Sequence, residues 1–140
     1  MTRVNLVPPE VLSDEHLLAE YREIPRVWNK ATQYLGPLLS GPYRLGKGHV
    51  LFFMDKSDYI LWRHMHLVQE LLRRQINASA IHLPDPGTLS WYPSVDEIQI
   101  NADRIVERLL DSKREPRYYR ATESRRDAVK RISQWVDRLR

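Results

Sequence analysis

The amino-terminal dipeptide is the first candidate for chemistry. Met1 is followed by Thr2, a small residue that usually permits removal of the initiator methionine and would leave the α-amine of Thr2 free. An α-amine has a pKa of about 7.7–8.0, against about 10.4 for lysine, so a sizeable fraction is neutral near pH 7. A neutral amine attacks an aldehyde-like carbon and forms a Schiff base. Many chains begin with Met-Thr without using it for catalysis, so a non-catalytic N-terminus is the alternative.

A carboxylate flanked by arginines is the second candidate. It lies in a stretch whose apolar residues repeat every three to four positions, which predicts a helix. The polar side of that helix places Glu23 beside His16, Glu20 and Arg26, with Arg22 on the flank. A salt-bridged surface face is the plain alternative, and it would contribute little to stability. The functional interpretation is a buried acid held among positive charges that also attract phosphates.

Other reactive patterns are excluded or weakly supported. The chain has no cysteine, which excludes a thiol nucleophile, a disulfide and a cysteine metal site. His64 and His66 are two positions apart on a predicted helix and therefore point in different directions, which does not favour a shared metal. The run Gly46-Lys47-Gly48 is too short for a phosphate-binding loop.

Four helices must position these groups, and their caps and periodicity predict them at about residues 13–35, 57–77, 94–113 and 124–139. Pro25 lies inside the first and should kink it or free the carbonyl of Tyr21. Ser94 and Glu97 form a capping box at the start of the third. The apolar segment from His49 to Phe53 predicts a buried strand or an extended core segment. The expected class is all-α: a single compact domain of three core helices plus a C-terminal basic helix.

The same periodicity predicts which helix faces are buried. The inward residues of the first helix are predicted to be Leu17, Tyr21, Ile24, Trp28, Ala31 and Leu35. Those of the second are Leu61, Met65, Val68, Leu72 and Ile76, with Asn77 as the helix stop. Those of the last are Val129, Ile132, Val136 and Leu139.

Positive charge is concentrated toward the C-terminus. The 140 residues carry a net charge of +4, but residues 104–140 contain twelve basic and six acidic residues. Positive charge concentrated at one end of an otherwise nearly neutral chain suits a polyanionic partner such as nucleic acid. The alternative is a solvated helical tail without a charged partner. No stretch approaches the roughly 20 apolar residues that cross a bilayer, and the first residues lack the apolar core of a signal peptide. We therefore expect an intracellular, cytoplasmic protein that does not contact membranes.

Several runs resemble the phage-type pyrimidine-dimer DNA glycosylases, also called endonuclease V in the ultraviolet-damage sense. The similar runs are Met1-Thr2-Arg3-Val4-Asn5-Leu6, His16-Leu17-Leu18-Ala19-Glu20-Tyr21-Arg22-Glu23-Ile24-Pro25-Arg26-Val27, Gly48-His49-Val50, Phe52-Phe53, Asp55-Lys56 and Arg117-Tyr118-Tyr119. The resemblance covers about residues 1–120, and the string Ala-Glu-Tyr-Arg-Glu-x-Pro-Arg beside Met-Thr-Arg at the very start is its most specific part. We expect residues 121–140, which have no counterpart, to form an amphipathic basic helix packed on the same domain or extending the DNA contact.

The resemblance implies a repair enzyme that acts on double-stranded DNA carrying cyclobutane pyrimidine dimers or abasic sites. By that resemblance, the α-amine of Thr2 attacks C1′ of the 5′ nucleotide of the dimer, an imine forms, and β-elimination cuts the strand. Glu23 would be the essential carboxylate, which suits a cationic sugar that needs a nearby anion. Neither a metal nor an organic cofactor is implied, and we expect a monomer. The residues implied to bind DNA or the lesion are Arg3, His16, Arg22, Arg26, Arg117, Tyr118 and Tyr119.

Two alternatives remain open. A homologue could keep only the abasic-site lyase activity or act on another base lesion, because the aromatic and basic tail of the family is reduced here to Arg117-Tyr118-Tyr119-Arg120. A non-catalytic basic helical DNA-binding module is the alternative from a different class. Thr2 and Glu23 together argue against that module, since phosphate binding needs neither a free N-terminal amine nor a buried acid.

Overall fold

A computed structural model describes residues 3–37, 43–79 and 89–140, and it confirms the helical class. A 3-10 turn spans Pro9–Val11, and five α-helices and one short antiparallel hairpin follow along the chain. The helices are α1 (Asp14–Thr32), α2 (His49–Phe52), α3 (Ser57–Arg73), α4 (Val95–Asp111) and α5 (Arg125–Asp137), and the hairpin strands are β1 (Arg117–Tyr118) and β2 (Ala121–Thr122). None of the described helices is long and apolar enough to cross a membrane.

The described residues divide into two compact units, which share α1. The first unit contains Arg3 and Val4 with the described part of residues 19–92, and the second contains residues 5–18 and 93–140. The first turns of α1 therefore belong to the second unit and its remainder to the first. Each unit has its own buried apolar residues.

An aromatic cluster lies at the centre of the first unit. The rings of Phe53, Tyr43, Phe52, Tyr59 and Trp91 contact one another, mostly edge to face, with centroids 5.0–6.1 Å apart. Edge-to-face contacts between aromatic rings add about 0.5–1.5 kcal/mol each to the free energy of burial. This cluster fixes Tyr43, which precedes α2, and the start of α3, and Tyr43 also contacts Val4.

The segment from His49 to Phe53 is helical, so the predicted strand is wrong. Gly48 precedes the helix with φ of 92°, a left-handed conformation that glycine adopts at little cost. The amide of Phe52 then donates to the Gly48 carbonyl over 3.0 Å. His49, Phe52 and Phe53 are all buried, at the helical spacing of three and four residues. A five-residue apolar run cannot be assigned by periodicity alone, which is why the prediction failed.

The buried face of α3 also differs from the prediction. Ile60, Leu67 and Leu71 are fully buried, whereas Leu72 is 52% exposed and Met65 is half-buried. The helix ends at Arg73, and Gln75, not Asn77, has the positive φ of 62° that follows it. Leu61 and Val68 are buried as predicted. The buried face is wider than the predicted one, since it also includes three polar residues of α3, Arg63, His64 and Glu70. A pattern that treats every charged residue as exposed cannot predict this.

Two further apolar residues were wrongly predicted to be buried. Leu35 is 99% exposed because α1 ends at Thr32, so the helical period no longer applies to it. Leu139 is 38% exposed for the same reason, since α5 ends at Asp137. Within the helices themselves, Leu17, Ile24 and Ile132 are buried as predicted.

The second unit is built on α4 packed against α5. Ser94 caps α4 with the predicted capping box: its hydroxyl accepts from the Glu97 amide at 3.1 Å, and the Glu97 carboxylate accepts from the Ser94 amide at 2.9 Å. Ile105 of α4 and Ile132 of α5 are among the residues buried in this unit. Asn101 is fully buried, and its side-chain oxygen accepts from the amides of Leu6 and Val7 at 2.7 and 3.2 Å. These bonds hold the segment before α1 against α4.

Candidate active site

Glu23 and Arg26 lie on one face of α1 and form an ion pair. Arg26 Nη1 is 3.6 Å from Glu23 Oε2, at the i, i+3 spacing. The Arg26 side chain is 68% exposed and that of Glu23 is 32% exposed, so Glu23 is half-buried and not the fully buried acid that we predicted. Arg22, one position before Glu23, is exposed. The carboxylate is therefore accessible from solvent and has at least one cation beside it.

Glu20 is not part of this accessible face, which corrects the sequence prediction. Its two carboxylate oxygens accept from Arg63 of α3, Oε2 from Nε at 2.8 Å and Oε1 from Nη2 at 2.9 Å. Both side chains are at most 2% exposed. Burial opposes the charge on Arg63, but the attraction and hydrogen bonds of Glu20 outweigh it and raise the pKa of Arg63. Two glutamates on successive turns of α1 thus have different environments.

The N-terminal segment is attached to the first unit at Val4. The Val4 amide donates to His49 Nε2 at 2.8 Å, and the Tyr43 hydroxyl donates to the Val4 carbonyl at 3.3 Å. Arg3 is half-buried, and its charge acts on both Tyr43 and His49. Thr2 lies outside the described residues. His49 stood in a run noted for its resemblance, whereas nothing in the sequence indicated a role for Tyr43.

The histidines of α3 have separate neighbours. His64 stacks on Tyr21 of α1 with centroids 5.6 Å apart, and burial lowers the pKa of His64. His66 contacts Trp62 edge to face at 4.2 Å. In the described ranges, no group of three or more His, Asp and Glu side chains is placed to hold a metal ion.

The second unit contains a basic cavity that brings together two of the predicted DNA-binding residues, His16 and Arg117. Its volume is about 690 Å³. It is lined by Ser13, Glu15, His16, Arg108, Leu109, Ser112, Lys113, Arg114, Glu115, Pro116, Arg117 and Thr122. Sequence reasoning missed three of its basic residues, because α4 and the loop after it were not connected to His16 by any local pattern.

The acidic residues of this cavity are already paired. Glu15 accepts from Arg117 Nε at 3.2 Å, and Glu115 accepts from Arg125 Nη1 at 3.1 Å. Among the residues that the structure describes, no ion pair joins the side chains of Arg108, Lys113 or Arg114 to a carboxylate. The cavity thus presents three cations that form no ion pair with any acid in the described part of the chain.

The two tyrosines of the hairpin differ in exposure. Tyr118 is 3% exposed, its hydroxyl donates to the Val11 carbonyl at 3.1 Å, and the Arg131 guanidinium lies 3.8 Å from its ring centroid. Tyr119 is 52% exposed and has a positive φ of 52° in the hairpin turn. The amides of Tyr119 and Arg120 donate to the Asp14 carboxylate at 3.2 and 2.8 Å, which holds the turn. Only Tyr119 therefore offers its ring to a ligand.

Comparison with known protein families agrees with the resemblance over the first part of the chain. A family described as pyrimidine dimer DNA glycosylase matches residues 1–83. The match includes Thr2, Arg3, Glu23 and Arg26, and it ends before α4 and the three cations of the cavity. Because it covers more than half of the sequence, the chain belongs to the pyrimidine dimer DNA glycosylase family of DNA-repair enzymes.

Proposed function

We propose that this protein is a bifunctional enzyme, a glycosylase that cleaves the N-glycosidic bond of the 5′ pyrimidine of a cyclobutane dimer and a lyase that cuts the strand at the resulting abasic site. The observation that carries this proposal is the environment of Glu23. It is a half-buried carboxylate that solvent can reach, with a cation beside it and exposed arginines on the same helix. That placement suits a carboxylate that must meet a cationic sugar, and a purely structural acid would resemble Glu20.

The proposed reaction begins at the α-amine of Thr2. Its nitrogen forms a bond to C1′ while the glycosidic bond breaks, and the electron pair leaves with the base, which takes up a proton. Opening of the sugar ring then gives an imine. Loss of a proton from C2′ expels the 3′ phosphate by β-elimination, and water hydrolyses the imine to release the enzyme. Glu23 stabilises positive charge on the sugar and assists the proton transfers.

Arginines hold the substrate in this proposal. Arg22 and Arg26 are exposed near Glu23, and their guanidinium groups can bind phosphate oxygens in a bidentate manner. Arg3 precedes the attached Val4 and would bind a phosphate next to the amine. These three residues would favour damaged DNA, because they act where the duplex must open.

The basic cavity of the second unit supplies a further contact in this proposal. Arg108, Lys113 and Arg114 would bind phosphodiesters of the duplex without reading its sequence. Arg117 and His16 line the same cavity and Tyr119 is exposed in the neighbouring hairpin, so these members of the predicted set remain candidates for DNA contact. Tyr118 would act by supporting the hairpin, since its ring is buried.

Borohydride trapping tests the proposal. The protein is mixed with an abasic-site duplex and, in parallel, with an ultraviolet-irradiated duplex, reduced, and digested for mass spectrometry. We expect a covalent adduct on the α-amine of Thr2 with both substrates. Protein that retains Met1 serves as the matched control, and we expect it to trap poorly because its amine is displaced by one residue.

The other outcomes identify the alternatives. An adduct on Lys30 or Lys47 would assign the nucleophile elsewhere. Trapping on the abasic duplex without glycosidic-bond cleavage at dimers in the irradiated one would indicate a lyase or a glycosylase for another lesion. Binding without any adduct would indicate a non-catalytic DNA-binding protein.

A further inference from the structure

The attachment of Val4 is buried and specific. Val4 is fully buried, and its amide and carbonyl are bound by two side chains from one neighbouring segment, His49 and Tyr43. An unpaired backbone group at such a site would cost about 1–3 kcal/mol, so these bonds strongly favour one position of the backbone. Val4 is two residues from Thr2, and the two Cα atoms can be no more than about 7 Å apart. Fixing Val4 therefore limits the positions that the Thr2 amine can occupy.

The hydrogen bonds of His49 define its protonation. Its Nδ1 is 2.7 Å from the Arg44 carbonyl, which can only accept, so Nδ1 carries the proton and donates. Its Nε2 accepts from the Val4 amide and must be unprotonated. His49 thus binds Val4 only as the neutral imidazole. An imidazolium would place an N–H against the Val4 N–H, and one of the two bonds would be lost.

We infer that His49 and Tyr43 are positioning residues that hold Val4 and thereby place the α-amine of Thr2 for attack on C1′. This inference rests on the proposed function, in which that amine is the nucleophile. Neither residue needs to touch the substrate, because both act through the backbone of Val4. A displacement of about 1 Å can reduce a rate by about a hundredfold, so a lost bond at Val4 would be visible in the chemical step.

The surroundings of His49 keep it neutral over most of the physiological pH range. Burial lowers the pKa of His49; the Arg44 carbonyl opposes this shift, Arg3 adds to it, and Glu20 also opposes it. Burial raises the pKa of Tyr43, so the hydroxyl remains a donor throughout. Protonation of His49 below pH 6.5 would release Val4. The α-amine, whose pKa is about 8, also becomes protonated as the pH falls.

Two titrations therefore give a characteristic pH profile. Between about pH 6.5 and 8, log kcat/KM should rise with slope one, since only the amine loses a proton. Below the pKa of His49 the slope should increase to two. In His49→Gln, whose amide oxygen can accept from Val4 but does not titrate, the slope should remain one down to acid pH.

The experiment compares His49→Phe, His49→Gln and Tyr43→Phe with the wild type in single-turnover borohydride trapping on an abasic duplex. Phenylalanine keeps the ring contacts of His49 with Tyr43 and Phe53 and removes the acceptor. We expect trapping by His49→Phe to slow about a hundredfold, with undamaged-DNA affinity unchanged. His49→Gln should recover a large part of the rate, and Tyr43→Phe should lose less, because its bond of 3.3 Å is longer.

The results separate this inference from the proposed function. If wild type forms no adduct at Thr2, the proposed function fails. If wild type forms the adduct and a folded His49→Phe traps equally fast, the positioning inference fails alone. The pH profile of the wild type needs no variant, and a slope of one that persists below the pKa of His49, measured by NMR titration of its ring, would also overturn the positioning inference.

Discussion

Glu20 and Glu23 should respond in opposite ways to the same substitution, although they lie on successive turns of α1. Replacing either by glutamine keeps the size of the side chain and removes one negative charge. At Glu20 this leaves the guanidinium of Arg63 buried without a counter-charge, since both side chains are at most 2% exposed. At Glu23 it leaves Arg26, which is 68% exposed and can be hydrated.

The expected losses of stability follow from burial. Removing one partner of a buried ion pair typically costs about 3–5 kcal/mol, because the remaining charge is uncompensated. For a chain of this size about 4 °C of Tm corresponds to each kcal/mol, so Glu20→Gln should melt about 12–20 °C below wild type. The exposed pair of Glu23 contributes less than about 1 kcal/mol, and Glu23→Gln should melt within about 4 °C of wild type.

The losses of activity should follow the opposite order: Glu23→Gln should lose far more activity than Glu20→Gln. Loss of a single preorganised electrostatic group slows the chemical step by about a hundredfold or more, and we expect this of Glu23→Gln in cleavage of the glycosidic bond at dimers in an irradiated duplex. Its affinity for dimer-containing DNA should remain, because phosphate contacts dominate binding. Glu20→Gln, measured well below its Tm, should retain most of the activity of its folded fraction.

Thermal unfolding followed by circular dichroism and single-turnover cleavage of the glycosidic bond measure both effects in the same two variants. Arg63→Met combined with Glu20→Met removes both charges and should recover stability relative to Glu20→Gln. Near wild-type cleavage of the glycosidic bond by Glu23→Gln would refute its catalytic role. A Tm of Glu20→Gln close to that of wild type would show that burial of the pair does not determine its contribution.

Three further predictions follow from the described side chains. Alanine at Arg22 and Arg26 should lower the preference for damaged over intact duplex, as measured by competition binding, and an unchanged preference would place lesion recognition elsewhere. Alanine at Lys113 and Arg114 should reduce the slope of log affinity against log salt by about 0.9 for each lost phosphate contact. The reduction should be equal for damaged and undamaged DNA. A loss of affinity confined to damaged DNA would contradict a contact with the DNA backbone. Ser94→Ala should cost about 1 kcal/mol in denaturant unfolding, because it removes the hydroxyl acceptor that the Glu97 amide uses, and Ser133→Ala, at an exposed position of α5, is the control.

Local patterns predicted the parts of the fold that depend on neighbouring residues. The capping box at Ser94 and the helical character of α1, α3, α4 and α5 follow from spacings of three and four positions. The pair of Glu23 and Arg26 follows in the same way. The buried pair of Glu20 and Arg63 does not, because these residues are 43 positions apart and each alone resembles a surface charge.

The same limit applies to the candidate site. Val4 is 45 positions from His49 and 39 from Tyr43, so no periodicity connects them. The resemblance indicated His49 as part of a similar run, but only the structure shows the atom that it contacts. Buried polar groups need partners from distant segments, and a local pattern does not contain those partners.

Ion pairs neutralise part of the positive charge that the sequence concentrates in the C-terminal region. The sequence left open whether the last helix packs on the domain or extends the DNA contact, and in the structure Arg125 of α5 pairs with Glu115 and Arg131 pairs with Glu123 at 2.8 Å. Two acidic residues of the range 104–140, Glu115 and Glu123, are thus paired with arginines of α5. Among the residues that the structure describes, the cavity cations at the end of α4 and in the loop after it form no ion pair with an acid. A polyanion would therefore meet concentrated positive charge there, on residues that lie outside the family match.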